Sequence, residues 1–234
     1  MDGKSVAPAE LTEGIKKIME QHDVPGLSIA VINDNALVYH NALGVSNIET
    51  KEPVDGQSIF EGASLSKPIF AYFALKMVEE GKLDLDRPLY EYLPHPGFAD
   101  ESQEDAKLIT ARMVLAHQTG MPNHAHGKKI TLAFKPGTGF EYSGEAYQYL
   151  AAVIGMQNKV GWKEGLNDLF QKKVTKPLGM SHSTFVWDEY IAEHKVYGHD
   201  EEDGTPKHRV PSEGYWEDGV FSAYSSLHSE AKEY

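Results

Sequence analysis

The segment from Ser64 to Glu80 constrains this chain most. Ile69, Phe70, Ala71, Phe73, Ala74, Leu75 and Met77 follow one another so closely that on a helix they would cover most of its circumference. Pro68 falls in the first turn or just after it, where a missing N–H costs little, and Gly81 stands at the stop position. The pattern predicts a helix over 64–80, buried on most sides, around which the rest of the fold is layered. The same helix suggests chemistry. A spacing of three sets the Ser64 hydroxyl and the Lys67 ammonium side by side on one face. Partial burial and the positive end of the helix are both expected to push the lysine pKa down. A neutral lysine can take the proton of a serine that is otherwise too weak a nucleophile. Taken alone, Ser-x-x-Lys describes a serine N-cap beside a solvated lysine equally well. The remaining sequence has to separate the two readings.

Leu11 to Gln21 reads as an amphipathic helix with Leu11, Ile15, Ile18 and Met19 on one face. Leu27 to Ile32 reads as a buried strand, Asn33-Asp34-Asn35 as a turn, and Ala36 to His40 as the returning arm of a hairpin. Ser58-Ile59-Phe60 is strand-like and leads into the central helix. Thr110 is placed to cap a helix from Ala111 to His117, stopped by Gly120. A turn at Lys135 to Gly139 delivers Phe140-Glu141-Tyr142-Ser143-Gly144. A helix follows from about Glu145 to Lys159, striped by Tyr149, Leu150, Val153, Ile154 and Met156. Further on come a helix from Trp162 to Val174, broken by Pro177 and Gly179, and a strand from Ser183 to Trp187. Lys195 to His199 and Thr205 to Val210 form an acidic-tipped hairpin, and Ser226 to Tyr234 looks helical.

Composition removes several functions. A net charge of −13 argues against nucleic acid or an anionic membrane as partner. The absence of cysteine excludes disulfides, thiolate metal sites and a cysteine nucleophile. No run is long enough for a membrane span, and Met1 to Glu10 lacks the features of a signal peptide. His117, His124, His126 and His182 invite a zinc reading, but no His-Glu-x-x-His pattern is present. His117 is better read as a helix-end residue hydrogen-bonded locally. Asp200-Glu201-Glu202-Asp203 lacks the spacing of a calcium loop. Neither metal nor cofactor is expected.

Beyond these readings, the chain resembles the serine β-lactamase and penicillin-binding-protein family, most closely its class C-type branch, which also contains esterases and D-amino-acid peptidases. The resemblance is carried by Ser64-Leu65-Ser66-Lys67, by Leu83-Asp84-Leu85-Asp86-Arg87-Pro88, and by the run from Ile109 to Gly120. Pro136-Gly137-Thr138 with Tyr142-Ser143-Gly144, then Pro177-Leu178-Gly179-Met180, continue it in order. It implies an α+β fold, an antiparallel sheet flanked by helices plus a helical subdomain. Residues 1–234 would be one catalytic domain, with 1–60 and 181–234 in the α/β part and 61–180 in the helical part. It implies Ser64 as the acylated nucleophile and Lys67 as its partner in proton transfer. Tyr142 would be the second proton-transfer group, held phenolate-like by the lysine charge, and the Ser64 backbone N–H one oxyanion donor. Substrates would be small molecules or short peptides: β-lactams, D-amino-acid peptides or small esters. An extracytoplasmic location is what the family would imply for a mature form.

Two departures qualify the resemblance. The tyrosine motif often ends in an asparagine whose amide binds a substrate amide; here the position is Gly144, which favours simpler esters. The family's late strand with Lys-Thr-Gly or His-x-Gly has no match, since Lys159-Val160-Gly161 lies between two helices. The sheet is therefore expected to be incomplete, short of strands that a complementing chain or segment could supply. The alternative function is a penicillin-binding-like module that binds without turnover.

Overall fold

Burial in the computed structural model, which describes residues 6–200, 202–207, 210 and 219–234, is concentrated on helices rather than strands. In chain order the first elements are α1 (Pro8–Gln21), β1 (Gly26–Asn33), β2 (Ala36–Gly44) and β3 (Phe60–Glu61). A 3₁₀ turn (Ala63–Leu65) leads into α2 (Ser66–Glu79), followed by α3 (Gln103–Ala106), α4 (Ala111–Leu115), α5 (Gly144–Asn158) and α6 (Glu164–Phe170). A π-type turn (Gln171–Thr175) then joins α7 (Lys176–Leu178), α8 (Glu189–His194), β4 (Gly198–His199), β5 (Pro206–Lys207) and β6 (His228–Ser229). The described residues belong to two compact units. Of these residues one takes in 6–61, 187–200, 202–207, 210 and His228–Tyr234, the other Gly62–Val186 and 219–227.

The helical unit is organised by α2. Its buried residues, Ser66, Lys67, Phe70, Phe73, Ala74 and Met77, recur at spacings of three and four and form one stripe. An aromatic chain runs inward from that stripe. Phe73 meets Phe170 edge-on at 5.7 Å, Phe170 meets Phe185 at 4.9 Å, and Phe185 stacks on Phe221 at 4.3 Å. The expectation of burial on most sides is corrected: Tyr72 and Leu75 on the opposite side are 42% and 47% exposed. In α5, Met156 likewise leaves the expected stripe for solvent. Gly155 of that helix is a close-approach position, since a Cβ there would lie 1.9 Å from the Gly161 carbonyl oxygen.

Two more expectations in this unit change. Ser183 to Trp187 forms no regular strand, because the Asn167 side chain takes over its bonding. The Phe185 N–H donates to Asn167 Oδ1 at 3.0 Å, and the Thr184 hydroxyl to the same atom at 3.1 Å. Pro177 does not break the helical run. The π-type turn resets the register so that Pro177 falls in the first turn of α7, where its missing N–H is harmless, and Gly179 (φ +73°) makes the stop.

In the other unit α1 begins at Pro8, three residues earlier than the apolar pattern suggests, and Ile18 is exposed. β1 and β2 form the expected hairpin. Asp34 and Asn35 (φ +49° and +60°) make its two-residue turn, and Gly26 pairs with Gly44 at the open end. β1 is half-buried rather than buried, and Ile32 is 69% exposed. Among the described residues β1 pairs only with β2, so one edge carries no ladder. The segment expected to be helical from Ser226 instead yields β6, antiparallel to β3. The acidic-tipped hairpin is present as β4–β5, though Glu201, His208 and Arg209 lie outside the described residues. α8 was not foreseen; Asp188 caps it, its carboxylate accepting the Ile191 N–H at 2.9 Å. No helix among the described residues is long and apolar enough to cross a membrane.

Candidate active site

Ser64 is delivered by the short 3₁₀ turn ahead of α2, not by the helix itself. Ala63 just before it has φ +42°, a left-handed backbone that strains a residue with a side chain. A closed set of hydrogen bonds holds that turn. The Gly62 N–H donates to the Leu227 carbonyl at 2.7 Å, and the Leu227 N–H donates to Ser66 Oγ at 2.9 Å. The Ser66 hydroxyl in turn donates to the Ala63 carbonyl at 2.6 Å. Ser66 is fully buried while Ser64, two residues away, is exposed. Within one motif, one serine is structural and the other is presented to solvent.

Lys67 sits on the buried stripe with only 4% exposure. Its Nζ donates to Ser64 Oγ at 3.3 Å and to the Tyr224 carbonyl at 3.2 Å. The ammonium lies 4.4 Å from the centre of the Tyr142 ring, 5.5 Å from that of Tyr224 and 6.0 Å from that of Tyr147. Burial alone would raise the Tyr142 pKa. Contacts of its hydroxyl with the Lys67 and Ser64 side chains, together with the lysine charge, outweigh burial and bring it below the ordinary tyrosine value. Lys67 thus lies against both Ser64 and the Tyr142 ring. Tyr147, deeper in the same cluster, is pushed up to about 12 by burial and then by Tyr142.

Tyr142 is set by the start of α5. Ser143 is the N-cap: its Oγ accepts the Ala146 N–H at 3.0 Å and donates to the Pro122 carbonyl at 2.8 Å. Gly144 is buried, and its N–H donates to Asn123 Oδ1 at 2.9 Å. A Cβ there would stand 2.8 Å from the Asn123 carbonyl oxygen and 2.8 Å from the Tyr224 ring. A side chain at this position would therefore press on Asn123 and Tyr224. The reading of His117 is corrected. It is not bonded locally through its ring; Nδ1 accepts the Ser143 N–H, 26 residues on, at 3.1 Å. That nitrogen is then unavailable to a metal. His124 lies near His126 (5.6 Å between ring centres) and Tyr224 (5.5 Å).

Sequence reasoning missed Tyr224, whose carbonyl anchors Lys67, and Asn123, which seats Gly144. Neither carries a signal, because each acts through a contact distant in the chain. A cleft of about 690 Å³ lined by Leu83, Asp86, Arg87 and Arg112 lies past Gly81, at the far end of α2, and shares no residue with the Ser64 cluster.

The beta-lactamase family model matches residues 11–230. The chain belongs to the beta-lactamase family. Among curated relatives of this beta-lactamase-family chain, "Protein flp" of Staphylococcus aureus (strain MW2) is 24% identical over 238 residues, covering 94% of this chain and 46% of that protein. The chain thus spans about half the length of the relatives it matches. Its fold is that of the D-alanine carboxypeptidase AmpC from Burkholderia cenocepacia (TM-score 0.77, 24% identity, 95% of this chain and 60% of that one). It is also that of EstCE1, a hydrolase with promiscuous acyltransferase activity (TM-score 0.76, 21% identity, 96% and 70%). The expected serine β-lactamase-like α+β fold, with few paired strands among the described residues, is therefore correct.

Proposed function

We propose that this beta-lactamase-family protein is a serine hydrolase that works through an acyl-enzyme on Ser64. The observation that carries the reading is the exposed Ser64 hydroxyl, 3.3 Å from the Nζ of a buried lysine that also lies 4.4 Å from the centre of the Tyr142 ring. Ser64 Oγ attacks the substrate carbonyl while its proton passes to the Tyr142–Lys67 pair. The tetrahedral oxyanion is met by the Ser64 backbone N–H, and its collapse expels the leaving group, which takes the proton back. Water then attacks the acyl carbonyl, giving a proton to the same pair, which passes it to Ser64 Oγ as the Oγ–carbonyl bond breaks and the acid leaves. The depressed Tyr142 pKa supports the tyrosine as a proton acceptor, since the neighbouring lysine charge stabilises its phenolate. Substrates are β-lactams, D-amino-acid peptides or small esters, and nitrocefin against a short p-nitrophenyl ester separates the first class from the last.

Intact-mass and peptide mapping after treatment with a fluorophosphonate or a penicillin test the assignment. An adduct on Ser64 alone is expected; one on another serine, or none, would refute it. A protein that takes up neither probe would instead be a binding module. Lys67→Ala and Tyr142→Phe should each lower turnover by at least ~10²-fold, with a double variant far less impaired than the product of the two. Independent, multiplicative losses would show that the two residues do not share a step.

A further inference from the structure

His117 touches the cluster in a way the reaction above does not use. Its backbone is left-handed (φ +56°), which turns both its carbonyl and its ring toward the segment carrying Tyr142. The carbonyl accepts the Glu141 N–H at 2.9 Å, and ring Nδ1 accepts the Ser143 N–H at 3.1 Å. One residue therefore pins the backbone on both sides of Tyr142. The imidazole also lies against the Tyr142 ring, with centres 4.6 Å apart and planes at 31°, and against Tyr147 at 5.3 Å and 30°. Phe140 meets its edge at 5.8 Å.

We infer that His117 is a positioning residue for Tyr142, and that it acts only as the neutral imidazole with its proton on Nε2. The inference rests on the reading of Tyr142 as a proton-transfer group. An Nδ1 that accepts a backbone N–H cannot itself carry hydrogen. Protonation would put two N–H donors face to face across 3.1 Å, so the Ser143 bond would be lost and one flank of Tyr142 released. The titratable groups facing the ring are Tyr142 and Tyr147 and, from α2, the Lys67 ammonium. Burial first, and then the Lys67 charge, both oppose a cation on His117 and hold its pKa below the ordinary 6.5. The device is intact at neutral pH and fails on the acid side.

Long-range ¹H–¹⁵N spectra of the wild-type imidazole test this without any substrate. They should show the Nε2–H tautomer and a midpoint below pH 6.5. An Nδ1–H tautomer, or a midpoint at or above that value, would overturn the inference whether or not the protein is a hydrolase. Two variants test the link to turnover. His117→Phe keeps a ring and lacks the acceptor; it should lower kcat roughly tenfold or more with KM changed less than about threefold. His117→Asn offers an oxygen near the place of Nδ1, tolerates the left-handed backbone and does not titrate. It should recover at least about threefold of the lost kcat and make the acid limb of the kcat/KM profile below pH 6.5 shallower, leaving only the part due to the Tyr142–Lys67 pair. A His117→Phe enzyme as fast as wild type, or an unchanged acid limb in His117→Asn, would overturn it. Absence of activity with an intact Nε2–H tautomer would count against the hydrolase reading alone.

Discussion

Replacing Ser66 with alanine should destabilise the protein far more than the same change at Ser64. The side chain is completely buried, and its oxygen does two jobs: it donates to the Ala63 carbonyl at 2.6 Å and accepts the Leu227 N–H at 2.9 Å. Alanine fits the space and leaves the N–H of buried Leu227 without its acceptor, whereas the carbonyl of exposed Ala63 keeps the Ser66 backbone N–H. An unsatisfied buried group costs ~1–3 kcal/mol. In a chain of this size each kcal/mol moves the melting temperature by about 2–4 °C, so a drop of roughly 2–12 °C is expected in a thermal-shift or calorimetric scan. The loss should also reach function, because the same bonds hold Ala63 at φ +42° and so aim Ser64. Ser64→Ala is the internal control: Ser64 is exposed, so its stability should stay within about 0.5 kcal/mol of wild type while labelling disappears. A Ser66→Ala protein that melts within about 1 °C of wild type would refute the reasoning. It would mean that water reaches the Leu227 N–H and that the bond set does not hold the turn.

Gly144→Asn should lower the melting temperature by the equivalent of roughly 1–3 kcal/mol and impair all substrates together, because its Cβ would press on Asn123 and Tyr224. An improved nitrocefin-to-ester ratio at unchanged stability would show that the space is open after all. Tyr147 sets an alkaline limit. Its pKa is raised from 10.0 to about 12 in the folded protein, so its contribution is complete below pH 10 and is lost as pH rises through 12. Denaturant unfolding followed from pH 9 to 12 should show stability falling over that window, and Tyr147→Phe should flatten the slope; an identical slope in the variant would remove Tyr147 as its source.

Several parts of the site were legible in the residues because their signals are local. The cap at Thr110, the Asp34-Asn35 turn, the stop at Gly81 and the one-turn spacing of Ser64 and Lys67 each depend on a few neighbouring positions. Where local preference competes with distant partners, the reading failed. The residues from Ser183 to Trp187 look like a strand until Asn167 supplies their bonds, and Ser226 to Tyr234 looks helical until Phe60 and Glu61 pair with it. Met156 and Leu75 are apolar and exposed, which periodicity cannot distinguish from apolar and buried.

What the sequence determined by itself is the ordered series of motifs, the helices they sit on, and the chemical class of the three side chains Ser64, Lys67 and Tyr142. Spacing along a helix is a property of the chain alone, so it survives any packing. Tertiary structure alone decided that Tyr142 is within reach of residues some 75 positions earlier, and that Tyr224 supplies the carbonyl anchoring Lys67. It also decided which serine of the motif is buried, that Asn123 and Tyr224 crowd Gly144, and that His117 reaches across to hold Ser143. These are contacts between residues remote in sequence, fixed by how buried polar groups find partners once the helices have packed, and no local pattern encodes that pairing.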